Sequence, residues 1–183
     1  MGKLIVFEFI TLNGFYKGPG EDIGWHKHGE EEAEFSKENF ESDARILLFG
    51  RVTFEMMASY WPTDQARQEF PEVAKGMNAS EKIVFSRTLK KTTWQNSTIV
   101  ADMIAEIKRL KKTEKTLVLL GSGKILSQLA NEGLIDEYQI MIDPVALGTG
   151  TSLFGGVDHQ IDLKLVKSRM FKSGVILLHY HPA

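Results

Sequence analysis

The chain contains no cysteine in 183 residues. That excludes disulfides, thiolate nucleophiles, iron–sulfur clusters and cysteine-ligated zinc, and it suits a reducing compartment. A dominant charge is also missing: 22 Lys and Arg stand against 24 Asp and Glu, for a formal net charge of -2. Surfaces built for nucleic acid or membrane carry an excess of one sign, so neither partner is expected. No apolar run reaches the length that crosses a bilayer. The apolar start, Met1–Ile10, is interrupted by Glu8 and no small-residue cleavage site follows it. It reads as a strand rather than a signal peptide, and a cytoplasmic location is expected.

What is present describes an ordinary globular domain. The chain is 43% hydrophobic and 25% charged, and it is long enough to bury a core without covalent staples. There is no linker, repeat or low-complexity stretch, so one domain spanning 1–183 is expected. Runs rich in β-branched and aromatic residues predict strands at Lys3–Ile10, Arg45–Phe49, Lys82–Phe85, Ser97–Val100, Thr116–Leu120, Glu137–Pro144, Leu163–Met170 and Val175–His181. Helices are expected between them. Met103, Ile104, Ile107 and Leu110 make one apolar face behind a plausible cap at Asp102. Ile125, Leu126, Leu129 and Ala130 make another. Glu30 to Asp43 is acidic, with Phe35 and Phe40 as its large apolar anchors.

Strand–helix alternation over the first two-thirds argues for a parallel sheet with crossover helices. The last two strands, joined through Lys172-Ser173-Gly174, read as an antiparallel hairpin at the sheet edge. The expected fold is three-layer α-β-α, with a mixed, mainly parallel sheet of about eight strands.

Ligands of open α/β sheets collect at the carboxyl ends of parallel strands, and three such ends carry chemistry suited to phosphate. At Phe49-Gly50-Arg51-Val52-Thr53 a strand runs straight into a helix, whose first N–H groups and dipole favour an anion. Gly50 permits close approach, Arg51 adds charge and Thr53 a hydroxyl. A solvated Arg at a helix start accounts for the same pattern equally well. At Phe85-Ser86-Arg87 a hydroxyl and a guanidinium follow a strand, and the planar fork of Arg87 suits a phosphomonoester such as the 2′-phosphate of NADP. Alone, it is also an ordinary turn with an exposed Arg. At Leu120-Gly121-Ser122-Gly123-Lys124-Ile125-Leu126 an apolar strand enters Gly-x-Gly and then an amphipathic helix, which suits a pyrophosphate. The spacing is not that of a P-loop, and the third glycine of the Rossmann fingerprint is missing. In combination, the three ends fit one dinucleotide better than three unrelated turns.

The same residues carry a family resemblance. Gly50-Arg51-x-Thr53, Ser86-Arg87 and Gly121-x-Gly123, in that order, resemble the pattern of dihydrofolate reductases and of the reductase domain of riboflavin biosynthesis. Thr11-Leu12-Asn13-Gly14 is similar to that group's Ser/Thr-Leu-Asp-Gly turn, with Asn13 in place of Asp. Leu147-Gly148-Thr149-Gly150-Thr151-Ser152-Leu153-Phe154, following Ile135-Asp136-Glu137, is similar to its late Leu-Gly-x-Gly-x-x-Leu-Phe loop. The resemblance covers nearly the whole chain. It implies NADPH as hydride donor, a small heterocyclic substrate resembling 5-amino-6-(5-phosphoribosylamino)uracil, and a homodimer. Carried over residue by residue, Gly50 to Thr53 would hold cofactor phosphates, Ser86 and Arg87 the 2′-phosphate, and Gly121 to Leu126 the pyrophosphate. Leu12, Asn13 and Gly14 would lie on the substrate side.

Hydride transfer also needs a stacking surface and a proton source. Trp25 and Phe49 are candidates to line a flat pocket, with Phe15 and Tyr16 beside them. The resemblance suggests Glu30, a few residues past Trp25, as the acid; a solvated helix face accounts for most of that acidic run. Glu8 is the second candidate, because strand alternation sets it with Leu4, Val6 and Ile10 on an apolar face. A structural hydrogen bond explains it as readily. Gly14, Gly18, Gly20 and Gly24 make Asn13–Trp25 a candidate lid. His26-x-His28 and His179-x-His181 invite a metal reading, but no further ligands complete a site by spacing, so exposed or edge-strand histidines and no metal are expected. Two other functions remain in view: dihydrofolate reduction, and a nucleotide-binding dimer without catalysis.

Overall fold

The structure, a computed structural model, describes residues 2–26, 29–40 and 45–183, with the side chains of 36–40 outside the description. The fold is α/β: eight long strands make a mixed, mostly parallel sheet, and the C-terminal strands are antiparallel. The chain divides into two compact units, Met1–Gly2 with Glu30–Ser122, and Lys3–Gly29 with Gly123–Ala183.

In the first unit, strands β3 (Arg45–Gly50), β4 (Glu81–Phe85), β5 (Ser97–Val100) and β6 (Thr116–Leu120) lie in the order β5-β4-β3-β6. All three pairings are parallel. Strands covered on both faces read as continuous apolar runs, and Ile46-Leu47-Leu48-Phe49 is such a run with no exposed surface. Among the described residues, five helices complete the unit: α1 (Glu30–Phe40), α2 (Arg51–Tyr60), α3 (Asp64–Glu69), α4 (Pro71–Ala79) and α5 (Met103–Leu110). Side chains start two of them. Thr63 accepts from the Ala66 N–H at 3.2 Å and Asp102 from the Ala105 N–H at 3.1 Å, as the sequence predicts for Asp102.

The alternation expected from sequence fails between β4 and β5, where residues 86–96 contain no helix. Trp94 explains this. It is buried against Phe49 and Phe54, with ring centroids 6.0 and 5.6 Å away, and its Nε1 donates to Asn78 Oδ1 at 2.7 Å. The crossover covers the sheet with one indole instead of a helix. Lys82, also without exposed surface, donates from Nζ to the carbonyls of Met77 (2.8 Å) and Ser80 (2.6 Å) at the end of α4, over the Trp94 ring at 4.7 Å. Burial pushes its pKa down to about 8.

In the second unit, β1 (Leu4–Thr11), β7 (Glu137–Asp143), β9 (Leu163–Met170) and β10 (Ile176–Pro182) lie in the order β1-β7-β10-β9. β1 is parallel to β7, and β10 is antiparallel to both neighbours. The β9–β10 hairpin turns at Gly174, whose φ of 90° suits only glycine comfortably. Helix α6 (Gly123–Asn131) buries Ile125, Leu126, Leu129 and Ala130, the face expected from sequence. A separate two-stranded sheet, β2 (Phe15–Lys17) against β8 (Thr151–Ser152), was not legible in sequence because its strands are only three and two residues long. Among the described residues, no helix is long and apolar enough to cross a membrane.

Candidate functional site

In the first unit, β4, β3 and β6 lie side by side and parallel, and Gly50 is in register with Phe85. All three strand ends singled out in sequence therefore open at one edge of the unit. Helix α2 starts directly from Gly50, and no side chain caps it. Its first N–H groups stay free of the side-chain partner that Thr63 and Asp102 provide elsewhere, which leaves them suited to an anion. Arg51 is exposed, with Nη1 3.0 Å from Glu55 Oε2. Val52 is exposed and Thr53 half-buried.

Next to it, Ser86 shapes the loop after β4. Its Oγ accepts from the N–H groups of Thr88 (3.2 Å) and Leu89 (2.9 Å), so the hydroxyl closes a turn. That turn presents Arg87, which is exposed and forms no ion pair among the described residues.

The third end explains its glycines differently from the sequence argument. Gly121 and Ser122 both have left-handed backbone, with φ of 66° and 74°. For Ser122 that is a strained conformation of the kind that concentrates at functional sites. A Cβ on Gly121 would lie 2.7 Å from Thr53 Cγ2, and one on Gly123 would lie 2.8 Å from the Tyr16 ring. Thr53 and Tyr16 lie against these two glycines where a side chain would stand. The glycines are required by packing and backbone angle, and what they leave to a ligand is backbone N–H. Lys124 is exposed, whereas Ile125 and Leu126 are buried and offer no side chain.

The second unit has a different character. Glu8 is 4% exposed, and its Oε1 is buried without a hydrogen-bond partner. Desolvation raises its pKa well above 4.5. Strand alternation sets Phe9 and Thr11 on the other face of β1. There Phe9 stacks on His26 with centroids 3.8 Å apart, and His26 Nδ1 lies 2.7 Å from Asp143 Oδ2. Thr11 Oγ1 donates to Asn13 Oδ1 at 2.8 Å and accepts from the Phe15 N–H at 3.0 Å. Asn13 Nδ2 donates to the Leu147 carbonyl at 2.7 Å. Glu8 thus lies on the opposite face of β1 from this cluster.

His26 corrects the expectation of an exposed loop histidine: its side chain is 5% exposed, because the buried Asp143 carboxylate needs a donor and Phe9 offers a stacking surface. His28 lies outside the described residues. His179 and His181 do share one face, and both turn to Glu137. The contacts are 2.9 Å from His179 Nδ1 to Oε1 and 3.7 Å from His181 Nε2 to Oε2. Hydrogen bonding to His179 is the main cause that holds the Glu137 carboxyl down at about 2.

The remaining candidates divide by burial. Leu12 and Asn13 are exposed, Gly14 and Trp25 half-buried. Phe49 has no exposed surface and packs on Phe54 and Trp94, so it belongs to the core rather than to a ligand-facing wall. Glu30 is exposed in the first turn of α1; among the described residues of that acidic run, the buried carboxylate is Glu32. Sequence reasoning missed Glu32, Lys82 and the His26–Asp143 pair. Only the last left a trace, an isolated Asp at the end of a strand whose other residues are mostly apolar.

A model of the RibD C-terminal domain matches residues 2–177. The uncharacterized protein YyaP of Bacillus subtilis (strain 168) is 31% identical over 98% of this chain and 94% of its own length. Among solved structures, a putative riboflavin biosynthesis protein from Shewanella sp. PV-4 superposes with a TM-score of 0.74 at 22% identity, covering 99% of both chains. Dihydrofolate reductase from Enterococcus faecalis, complexed with NADP(H), superposes with a TM-score of 0.68 at 16% identity, covering 99% of this chain and 96% of its own.

Proposed function

The chain belongs to the RibD C-terminal domain family, and from that premise we propose that it is an NADPH-dependent reductase that transfers a hydride to a small heterocyclic substrate. The observation that carries this reading is the row of three parallel strand ends in the first unit. It comprises an uncapped helix start at Gly50-Arg51, a strained left-handed turn at Gly121-Ser122, and an exposed Arg87 with no ion pair among the described residues. The backbone N–H groups after Gly50 and Gly121 suit phosphate oxygens. Arg87 suits a phosphomonoester by bidentate contact, which favours NADPH over NADH. The cofactor would supply the hydride, and the protein would supply orientation and exclude water.

On the substrate side, Leu12, Asn13, Gly14 and Trp25 of the second unit remain the proposed contacts, and a pyrimidine resembling 5-amino-6-(5-phosphoribosylamino)uracil is the proposed substrate class. Glu8 and Glu30 are the proposed acids. Burial pushes the Glu8 carboxyl well above its ordinary range, which favours the protonated form a donor needs, but it faces away from Asn13 and His26; Glu30 is exposed and reaches solvent freely. A homodimer is proposed on the exposed apolar residues Leu165, Val166, Met170 and Ile176 of the β9–β10 hairpin, where Met170 and Ile176 are cross-strand partners.

Titration with NADPH followed by Trp fluorescence and melting temperature tests the cofactor, since a ligand that binds only the native state raises the melting temperature by mass action. No response at millimolar NADPH refutes the reading. NADPH oxidation with the pyrimidine, and separately with dihydrofolate, distinguishes the two substrates. Binding without turnover of either would favour a nucleotide-binding dimer.

A further inference from the structure

The segment from Asn13 to Trp25 is held at its two ends by different means. Its start is fixed largely by backbone. Leu12 N–H donates to the Val145 carbonyl at 2.8 Å, Leu153 N–H to the Gly14 carbonyl at 3.1 Å, and β2 pairs with β8. Asn13 adds a two-way bond to Leu147, donating at 2.7 Å and accepting at 3.2 Å. Between the ends, residues 19–24 are exposed, and Gly20 and Glu21 adopt left-handed backbone with φ of 67° and 66°. A Cβ built on Gly20 meets nothing within 4 Å. The middle of the segment contributes little packing of its own.

Its far end closes on side chains. Asp143 is the last residue of β7, in register with Thr11, the last residue of β1. Its carboxylate has no exposed surface, and a buried carboxylate demands a donor. The loop delivers one from its end: His26 Nδ1 meets Oδ2 at 2.7 Å, and the ring lies flat on Phe9 at an interplanar angle of 29°. His26 N–H also donates to the Ile23 carbonyl at 3.1 Å, and Trp25 Nε1 to the Asp22 carbonyl at 3.2 Å, so the turn just before the histidine is folded onto it.

We propose that His26 and Asp143 form a clasp that seats the Asn13–Trp25 loop across the carboxyl ends of β1 and β7, and that they act as positioning residues for the substrate contacts Asn13, Gly14 and Trp25. The word substrate rests on the reductase reading; the clasp itself does not. Opening it frees the loop from Gly18 to His26, while the β2–β8 pairing keeps the start in place.

Amide hydrogen exchange on the whole chain tests this. In His26→Ala, amides 18–26 should exchange at least tenfold faster, with β3, β4 and β6 unchanged. In His26→Asn, whose amide N–H stands near the position of Nδ1, most of the protection should return. Asp143→Asn keeps an acceptor without the charge and should give an intermediate rise of about threefold; it also decides the matter if His26→Ala fails to fold. A uniform rise over both units, no rise in 18–26, or no rescue by Asn overturns the clasp. NADPH titration by Trp fluorescence is run on the same samples, with affinities expected within about twofold of the parent chain. If the parent chain itself binds no NADPH, the reductase reading falls while the exchange pattern still judges the clasp.

Discussion

The two units handle polar groups in opposite ways. In the first, the groups open to a ligand are backbone N–H groups and exposed cations at strand ends, and a fully buried cation, Lys82, binds the end of α4. In the second, polar side chains are drawn into the fold: Glu8 lies buried, its Oε1 without a hydrogen-bond partner among the described residues, Asp143 holds His26, and Glu137 holds His179. Backbone groups at a surface retain their hydration until a ligand arrives, so they cost little to keep. Buried side chains need partners or a changed protonation state. Under the proposed function, the first unit would recognise the constant part of the cofactor, while the side chains of the second set local shape and charge.

The largest expected effect breaks the first unit's strategy. Gly121→Ala places a Cβ against Thr53 and forces a left-handed backbone, so it should cost about 3 kcal/mol by denaturant unfolding. Adding Thr53→Ala should recover part of that, and full recovery would show that the backbone angle is unstrained. Arg87→Glu should leave stability unchanged within about 0.5 kcal/mol. It should weaken NADPH at least tenfold, about 1.4 kcal/mol, with NADH unaffected. Equal loss for both cofactors would remove Arg87 from the 2′-phosphate.

The second unit is tested by pH. Glu8 keeps its proton in the native state above pH 4.5 while the unfolded chain loses it, so the native state binds more protons and stability falls as pH rises from 4.5 toward the raised native pKa. Glu8→Leu should abolish this slope and gain about 1–2 kcal/mol at pH 8. An unchanged slope would mean that Glu8 is not the group responsible. Glu137 runs the other way. Its native pKa, about 2, lies below the ordinary 4.5. Its contribution is therefore complete above pH 4.5 and lost as pH falls toward 2. Glu137→Gln should remove about 1 kcal/mol of that acid-limb dependence, a discounted figure because the pair is partly solvated. If the two variants behave alike, the contrast between an unpartnered and a paired carboxylate fails.

Much of the fold was legible because it rests on local pattern. Ser97–Val100, Thr116–Leu120 and Leu163–Met170 match the observed strands to the residue, and the Asp102 cap and the Gly174 turn are local chemistry. The helix predicted between β4 and β5 is absent because Trp94 covers the sheet there, a long-range packing event that no periodicity announces. The three strand ends were visible for the same local reason as the strands. Phe49 was misread as a pocket wall because an aromatic residue at a strand end looks the same whether its partner is a ligand or Trp94.

By itself the sequence determined the strand set, the exclusion of thiol chemistry, and the candidate phosphate junctions, since these depend on residue type and on spacing along the chain. Only the tertiary structure decided what each of those faces meets. It set Glu8 opposite His26, paired His26 with Asp143 across a long loop, and turned His179 and His181 onto Glu137. It also filled the space above Gly121 with Thr53. Each of these depends on which distant side chain arrives at a given point, and burial then fixes its charge and its partner.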